Sequence, residues 1–145
     1  MIRLRRFFIT DLNEVMDIER TSFPQPWSKS YIGKLSQRYP QDFVVANFSK
    51  KVVGYILGYK KPNGLGSIKT LAVNPNFRQQ GIGTKLVNFT TKRLKKESVK
   101  EVFLHTRTKN QIAILFYKKL GFKILKKIEN YYKNGDNAYL MVKKI

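Results

Sequence analysis

The chain contains no cysteine and a single histidine. Disulfides, thiolate metal ligands and a covalent cysteine intermediate are therefore excluded, and neither a structural zinc site nor any other metal is expected. Acidic residues are scarce as well: nine Asp and Glu stand against 29 Lys and Arg, a formal net charge of +20. That surplus attracts polyanions, whether nucleic acid, a ribosome, an anionic membrane surface or a phosphorylated ligand. The cations come in small groups such as "KRLKK" and "FYKKLGFK" with no run longer than two, so a solvated lysine-rich surface accounts for any one group. No apolar stretch is long enough to span a bilayer, and "MIRLRRFFITDLNEV" lacks the apolar run and small-residue cleavage site of a signal peptide. A cytoplasmic protein with no membrane partner is expected.

What is present fits one folded domain over residues 1–145: 42% apolar residues, of which 19 are Phe, Tyr or Trp. "IRLRRFFI" (2–9) alternates as a first strand, and "TDLNEVMDIER" follows with Leu12, Val15, Met16 and Glu19 at helical spacing behind a cap at Thr10 or Asp11. Two prolines in "SFPQPWSKSYIGKL" end that helix, and Ser28 can cap a second one through about Gln37. "DFVVANF", "KVVGYILGYK" and "GSIKTLAV" read as three strands joined by an "SKK" turn and a "KPNGLG" loop. Helical spacing returns at Ile82, Leu86, Phe89 and Leu94, then comes a strand "EVFLHTR" and a helix "NQIAILFYKKL" with Ala113, Phe116, Tyr117 and Leu120 on one face, stopped by Gly121. The end is two β runs around the Asn-Gly of "KNGD". The order is β-α-α-β-β-β-α-β-α-β-β, which implies an α/β (α+β mixed) fold, its mostly antiparallel sheet of about seven strands flanked by about four helices.

The stretch "FRQQGIGTKLV" puts two glycines at the start of the central helix. Such a turn leaves main-chain N–H groups converging at the positive end of the helix dipole, a setting suited to phosphate. Leu86 stands where a dinucleotide fingerprint needs its third glycine, and Gly83-Thr84-Lys85 inverts the order of a P-loop, so neither motif applies.

"LAVNPNFRQQGIGTKLV" resembles the Arg/Gln-x-x-Gly-x-Gly/Ala motif of the GCN5-related N-acetyltransferases, the GNAT superfamily, and Arg78-Gln79-Gln80-Gly81-Ile82-Gly83 fits every defined position. "NQIAILFYKKLGF" is similar to the family's second cofactor motif, while "SFPQPWS", "NYY" and "DNAYLM" resemble its RimI-like and archaeal N-terminal protein acetyltransferases; the resemblance covers nearly the whole chain. It implies acetyl-CoA as cosubstrate, with its diphosphate on the N–H groups of Gln79 through Thr84 (Gln79, Gln80, Gly81, Ile82, Gly83, Thr84) beside Arg78. It implies the pantetheine arm along Leu71-Ala72-Val73, with the Val73 N–H as oxyanion donor. Asn110 matches the cofactor-binding Asn and Tyr117 the general acid, for which the plainer role is a core aromatic. RimI-like enzymes carry a Glu as proton acceptor twelve residues before that Tyr, where this chain has His105, as does the eukaryotic enzyme acting on Met-starting N termini; a half-buried structural histidine is the alternative. Ser67 falls four residues before Leu71, near where that eukaryotic relative has a second catalytic Tyr, so that base is missing here. Glu129 is a fallback carboxylate. Phe23, Pro24, Tyr131 and Tyr132 are expected as walls of a peptide groove, with strand alternation allowing only one of the two tyrosines to face it.

An α-amine has a reference pKa near 8 and a lysine amine about 10.4, so deprotonating lysine at neutral pH costs roughly 3 kcal/mol more. The expected reaction is therefore direct acetyl transfer to the α-amine of protein N-terminal peptides, by a monomer or weak dimer with room for an auxiliary subunit and for ribosome proximity. The alternatives are an acetyltransferase of small-molecule amines or lysine side chains and, in another class, a basic ribosome- or nucleic-acid-binding module.

Overall fold

A computed structural model describes residues 1–145. The elements follow the expected order: β1 (Ile2–Arg6), α1 (Leu12–Ser22), α2 (Lys29–Arg38), β2 (Phe43–Phe48), β3 (Lys51–Lys60), β4 (Gly66–Val73), α3 (Ile82–Lys96), β5 (Glu101–Arg107), α4 (Gln111–Lys119), β6 (Lys123–Ile128) and β7 (Ala138–Lys144). The seven strands form one sheet in the order β1-β2-β3-β4-β5-β7-β6. β1 with β2, β2 with β3, β5 with β7 and β6 with β7 run antiparallel, and β4 with β5 parallel, which is the mixed, mostly antiparallel sheet expected. No helix is long and apolar enough to cross a membrane. The chain divides into two compact units, Met1–Tyr59 with Lys69–Arg93 and Lys60–Ile68 with Leu94–Ile145.

The first unit is organised around Phe7, Val15, Met16, Ile18, Ile32, Phe43, Tyr55 and their neighbours. Its first strand is shorter than the alternation predicted, ending at Arg6 rather than Ile9. The cause is Asp11: its carboxylate accepts the N–H of Phe8 (2.8 Å) and both guanidinium nitrogens of Arg5 (2.8 Å each), which folds 9–11 into a 3-10 turn leading into α1. Ser28 caps α2 as expected, its hydroxyl accepting the Tyr31 N–H at 3.1 Å. Gly54 on β3 lies so near Ala72 O, Ile82 and Leu86 that a Cβ there would sit 3.3–3.4 Å from all three, so β3, β4 and the start of α3 pack backbone-close. Phe89, expected on the buried face of α3, is 45% exposed; Val87 and Thr90 turn inward instead.

The second unit buries Val99, Val102, Leu104, Ile114, Tyr117, Phe122 and Met141. On α4, Tyr117 is buried as its spacing predicted, Ala113, Phe116 and Leu120 are half-buried, and Ile114 takes the second fully buried place. Gly121 terminates α4 with φ +95, the N–H groups of Gly121 and Phe122 returning to Lys118 O and Tyr117 O at 3.0 Å each, while the Phe122 ring meets the Tyr117 ring edge-on at 5.5 Å. The terminal hairpin is present, but its strands stop at Ile128 and Ala138, so 129–137 forms a long loop with the Asn-Gly turn inside it. Tyr131 and Tyr132 are loop residues, and the strand-alternation argument about them does not hold.

Candidate active site

β4 leads into the glycine turn. The Asn74 N–H reaches back to Val53 O on β3 at 2.8 Å. Main-chain groups of successive strand residues point to opposite edges, so the N–H and C=O of Val73 face the other edge of β4, where Arg78 Nε donates to Val73 O at 3.0 Å. Asn74 opens a short 3-10 turn over Pro75–Phe77 by accepting the Asn76 N–H on its side chain. The chain then passes through two left-handed residues, Gln79 at φ +61 and Gly81 at φ +78. Lys85 N–H to Gly81 O (3.0 Å) is the first bond of α3, which leaves the N–H groups from Gln79 to Thr84 ahead of it without helical partners. Gln79, Gln80 and Gly81 are exposed, Gly83 and Thr84 half-buried, and Ile82 is buried and anchors the turn. Arg78 has no carboxylate partner; its Nη2 donates to the Ser22 hydroxyl at 3.3 Å, so a full positive charge stands beside the open amides. On β4 Ala72 is buried and Leu71 and Val73 are half-buried.

The expected acceptor loop follows α1 in the same unit. Phe23 is the C-cap of α1 and packs on the core while Pro24 is exposed, so Phe23 contributes one flank at most. The structure adds residues that the sequence reading passed over. Glu19, noted only as part of an apolar stripe, is 1% exposed; it accepts from the hydroxyls of Tyr55 and Thr70 (Thr70 at 3.1 Å) and from the Trp27 N–H at 2.9 Å. Burial, and then Glu19 itself, push the Tyr55 hydroxyl pKa far above its ordinary value, so the hydroxyl stays a donor. Lys69 Nζ sits over the Trp27 ring at 4.6 Å, and the Trp27 and Tyr31 rings are 4.8 Å apart. A carboxylate inside an apolar periodicity was the one signal in the sequence that could have flagged this cluster.

In the second unit, β5 presents His105 on the face of Phe103 and Arg107, opposite the buried Val102, Leu104 and Thr106. His105 is exposed, not half-buried, and its ring stacks on Tyr131 at 4.4 Å and 14°. Tyr131 meets Tyr132 edge-on at 5.0 Å, and the Arg107 guanidinium lies 3.8 Å over the Tyr132 ring. Asp136 gathers Arg107 (2.8 Å), Lys109 (3.1 Å) and the Asn134 amide (3.1 Å), and the Lys109 and Asn134 hydrogen bonds lead in holding its carboxyl below the usual range. Tyr117 is buried; that burial, and then Tyr132, raise its hydroxyl pKa well above the ordinary tyrosine value. Burial likewise raises those of Tyr131 and Tyr132. Asn110 is the N-cap of α4, its Oδ1 accepting the Ala113 N–H at 3.1 Å. Ser67 is half-buried on β4, paired with Phe103 of β5, and Glu129 is exposed at the head of the 129–137 loop.

A model of the acetyltransferase (GNAT) family matches residues 12–122. The chain belongs to the GNAT acetyltransferase family. It is 34% identical to the N-alpha-acetyltransferase of Sulfurisphaera tokodaii over 96% of this chain and 90% of that one. Among solved structures, Ard1 from Thermoplasma volcanium superposes with a TM-score of 0.95 at 33% identity, covering 99% of this chain and 97% of that one. Arabidopsis thaliana Naa50, solved in complex with the bisubstrate analogue CoA-Ac-MVNAL, gives a TM-score of 0.86 at 29% identity with 99% of each chain covered.

Proposed function

We propose that the chain is a cytoplasmic N-alpha-acetyltransferase, one catalytic domain over residues 1–145 that transfers acetyl from acetyl-CoA to the free α-amine of protein N termini. The observation that carries this reading is the Arg78–Thr84 turn: open amides, two left-handed residues and an arginine without a carboxylate partner fit a diphosphate, in a chain 34% identical to a named N-alpha-acetyltransferase. The Val73 N–H, aimed at the edge of β4 away from β3, is the group that would donate to the thioester oxygen as negative charge develops there. Leu71 and Ala72 would line the pantetheine arm and Asn110 would contact the cosubstrate with its amide.

Transfer is direct, without an acetylated enzyme. A proton leaves the attacking amine for His105, the new C–N bond forms as the C–S bond breaks, and the Tyr117 hydroxyl protonates the departing thiolate. Burial keeps the Tyr117 hydroxyl protonated throughout the neutral range, so a proton is present there for the thiolate. Tyr131 and Tyr132, ordered by His105 and by the Arg107–Asp136 cluster, would contact the acceptor peptide in the second unit, where Glu129 is a fallback base, and Pro24 and the edge of Phe23 would contact it in the first. The surplus of cations supports work close to ribosomal RNA. The test is acetyl-CoA turnover by the single chain on N-terminal peptides of varied sequence, beside small amines and an N-terminally blocked, lysine-bearing peptide. Turnover confined to free α-amines is expected; turnover of small amines or of the blocked peptide alone refutes the reading, and activity only after a partner chain is added assigns an auxiliary subunit.

A further inference from the structure

Glu19 spends a buried carboxylate where no step of the transfer needs one. It is 1% exposed, and each oxygen is committed: Oε1 accepts the hydroxyls of Tyr55 on β3 and Thr70 on β4, and Oε2 accepts the main-chain N–H of Trp27. The first two partners are sheet. The third lies in the 23–28 loop, whose other holds are the α1 cap at Phe23 and the α2 cap at Ser28. Trp27 is also gripped from the ring side, by Lys69 Nζ at 4.6 Å and Tyr31 at 4.8 Å. Consecutive β4 residues thus hold one loop residue, Lys69 by its ring and Thr70 through Glu19 by its amide. They immediately precede Leu71-Ala72-Val73.

We infer that Glu19 is a positioning residue that ties the acceptor-side loop, with Phe23 and Pro24, to the strand along which the cosubstrate lies. This rests on the N-alpha-acetyltransferase reading. The carboxylate's two acceptor oxygens take three donors arriving from two sides. Methionine matches glutamate in length and has no oxygen to accept, so Glu19→Met loses the Trp27 amide bond together with both hydroxyl bonds.

Steady-state kinetics of Glu19→Met with peptide and acetyl-CoA varied separately make the test, with Tyr55→Phe as the counterpart that removes a sheet-side donor and leaves the loop bond. Glu19→Met is expected to raise the peptide KM about tenfold or more while the acetyl-CoA KM stays within about twofold. Tyr55→Phe is expected to lower the melting temperature with the peptide KM within about twofold. An unchanged peptide KM in Glu19→Met, a parallel rise of both KM values, or equal peptide effects in the two variants overturns the inference. Amide hydrogen exchange in the unmodified protein reads the same bond without a variant or a substrate: the Trp27 N–H is expected to be protected although the residue is 39% exposed, and fast exchange there overturns the inference too. Failure of the transferase reading would look different, as absence of peptide turnover in the unmodified protein with the Trp27 amide still protected.

Discussion

Tyr117 shows what a single position in the sequence carries and what it does not. Its place on the inner face of a helix was legible from spacing, and its burial follows. That burial is the larger cause of its raised pKa; the edge-on Phe122 and the smaller influence of Tyr132 come from α4's terminal turn and from the 129–137 loop, which helix spacing does not reveal. Tyr117→Phe should cut kcat about 100-fold or more with the acetyl-CoA KM little changed, measured by thiol release. The direction of the shift sets the pH behaviour: a raised folded pKa keeps the hydroxyl protonated, so kcat should show no Tyr117-dependent loss up to pH about 10, where an ordinary tyrosine is half ionised. A decline centred below that pH and absent from Tyr117→Phe contradicts the general-acid role. His105→Ala should lower kcat by a comparable factor, and His105→Gln, which keeps bulk without a base, should not restore it. Asp11 provides the matching stability test. Its burial alone would raise its pKa, but the Arg5 and Phe8 hydrogen bonds outweigh that and depress it, so its contribution is present above the unfolded value near 3.8 and fades as pH falls through the lower folded value. The denaturant midpoint should thus drop below pH about 4 in the unmodified protein, and that part of the drop should be missing in Asp11→Asn.

At the scale of elements, the sequence was read best where a local rule has no competitor. β3, β4 and β5 lie within the bounds their alternation set, and Ser28, Asn110 and Gly121 begin or end helices where expected. It was read worst where a distant group intervenes. Arg5 and Asp11 cut β1 short, and the tail loop is held by Arg107 and Lys109 on Asp136 and by Asn137 on the Asn130 N–H, none of which the Asn-Gly signal could reveal. The glycine turn is the element on which function hangs, and Gly81 isolates its backbone. A Cβ at Gly81 would meet nothing within 4 Å, so Gly81→Ala tests conformation alone. With φ at +78, alanine should cost about 1–2 kcal/mol in denaturant unfolding, and Gly81→Asn less, since asparagine tolerates the left-handed region. The acetyl-CoA KM should rise in the same order, with the peptide KM nearly constant. Equal KM effects on both substrates would remove the turn from its assigned role.

For the molecule as a whole, the +20 charge was the plainest feature of the sequence and the least specific, because polyanion attraction alone does not tell an RNA binder from an enzyme whose cosubstrate is phosphorylated. Ligand-linked stability separates them. A ligand at one hundred times its Kd stabilises the folded state by about 2.7 kcal/mol. For a chain near this size each kcal/mol moves the melting temperature by about 2–4 °C, so CoA should raise it by about 5–11 °C. Pantetheine, which lacks the phosphates, should give little or no shift at equal concentration, since the open amides and Arg78 would have nothing to hold. Raising the salt from 0.05 to about 0.5 M should reduce the CoA shift only in part: screening weakens the long-range pull of scattered lysines but not main-chain hydrogen bonds at short range. A polyanion such as heparin, held by surface charge alone, should lose its shift entirely over that range. If CoA and heparin fade together, or pantetheine matches CoA, the diphosphate is not gripped by the Gln79–Thr84 amides and the charge surplus is the whole of the affinity.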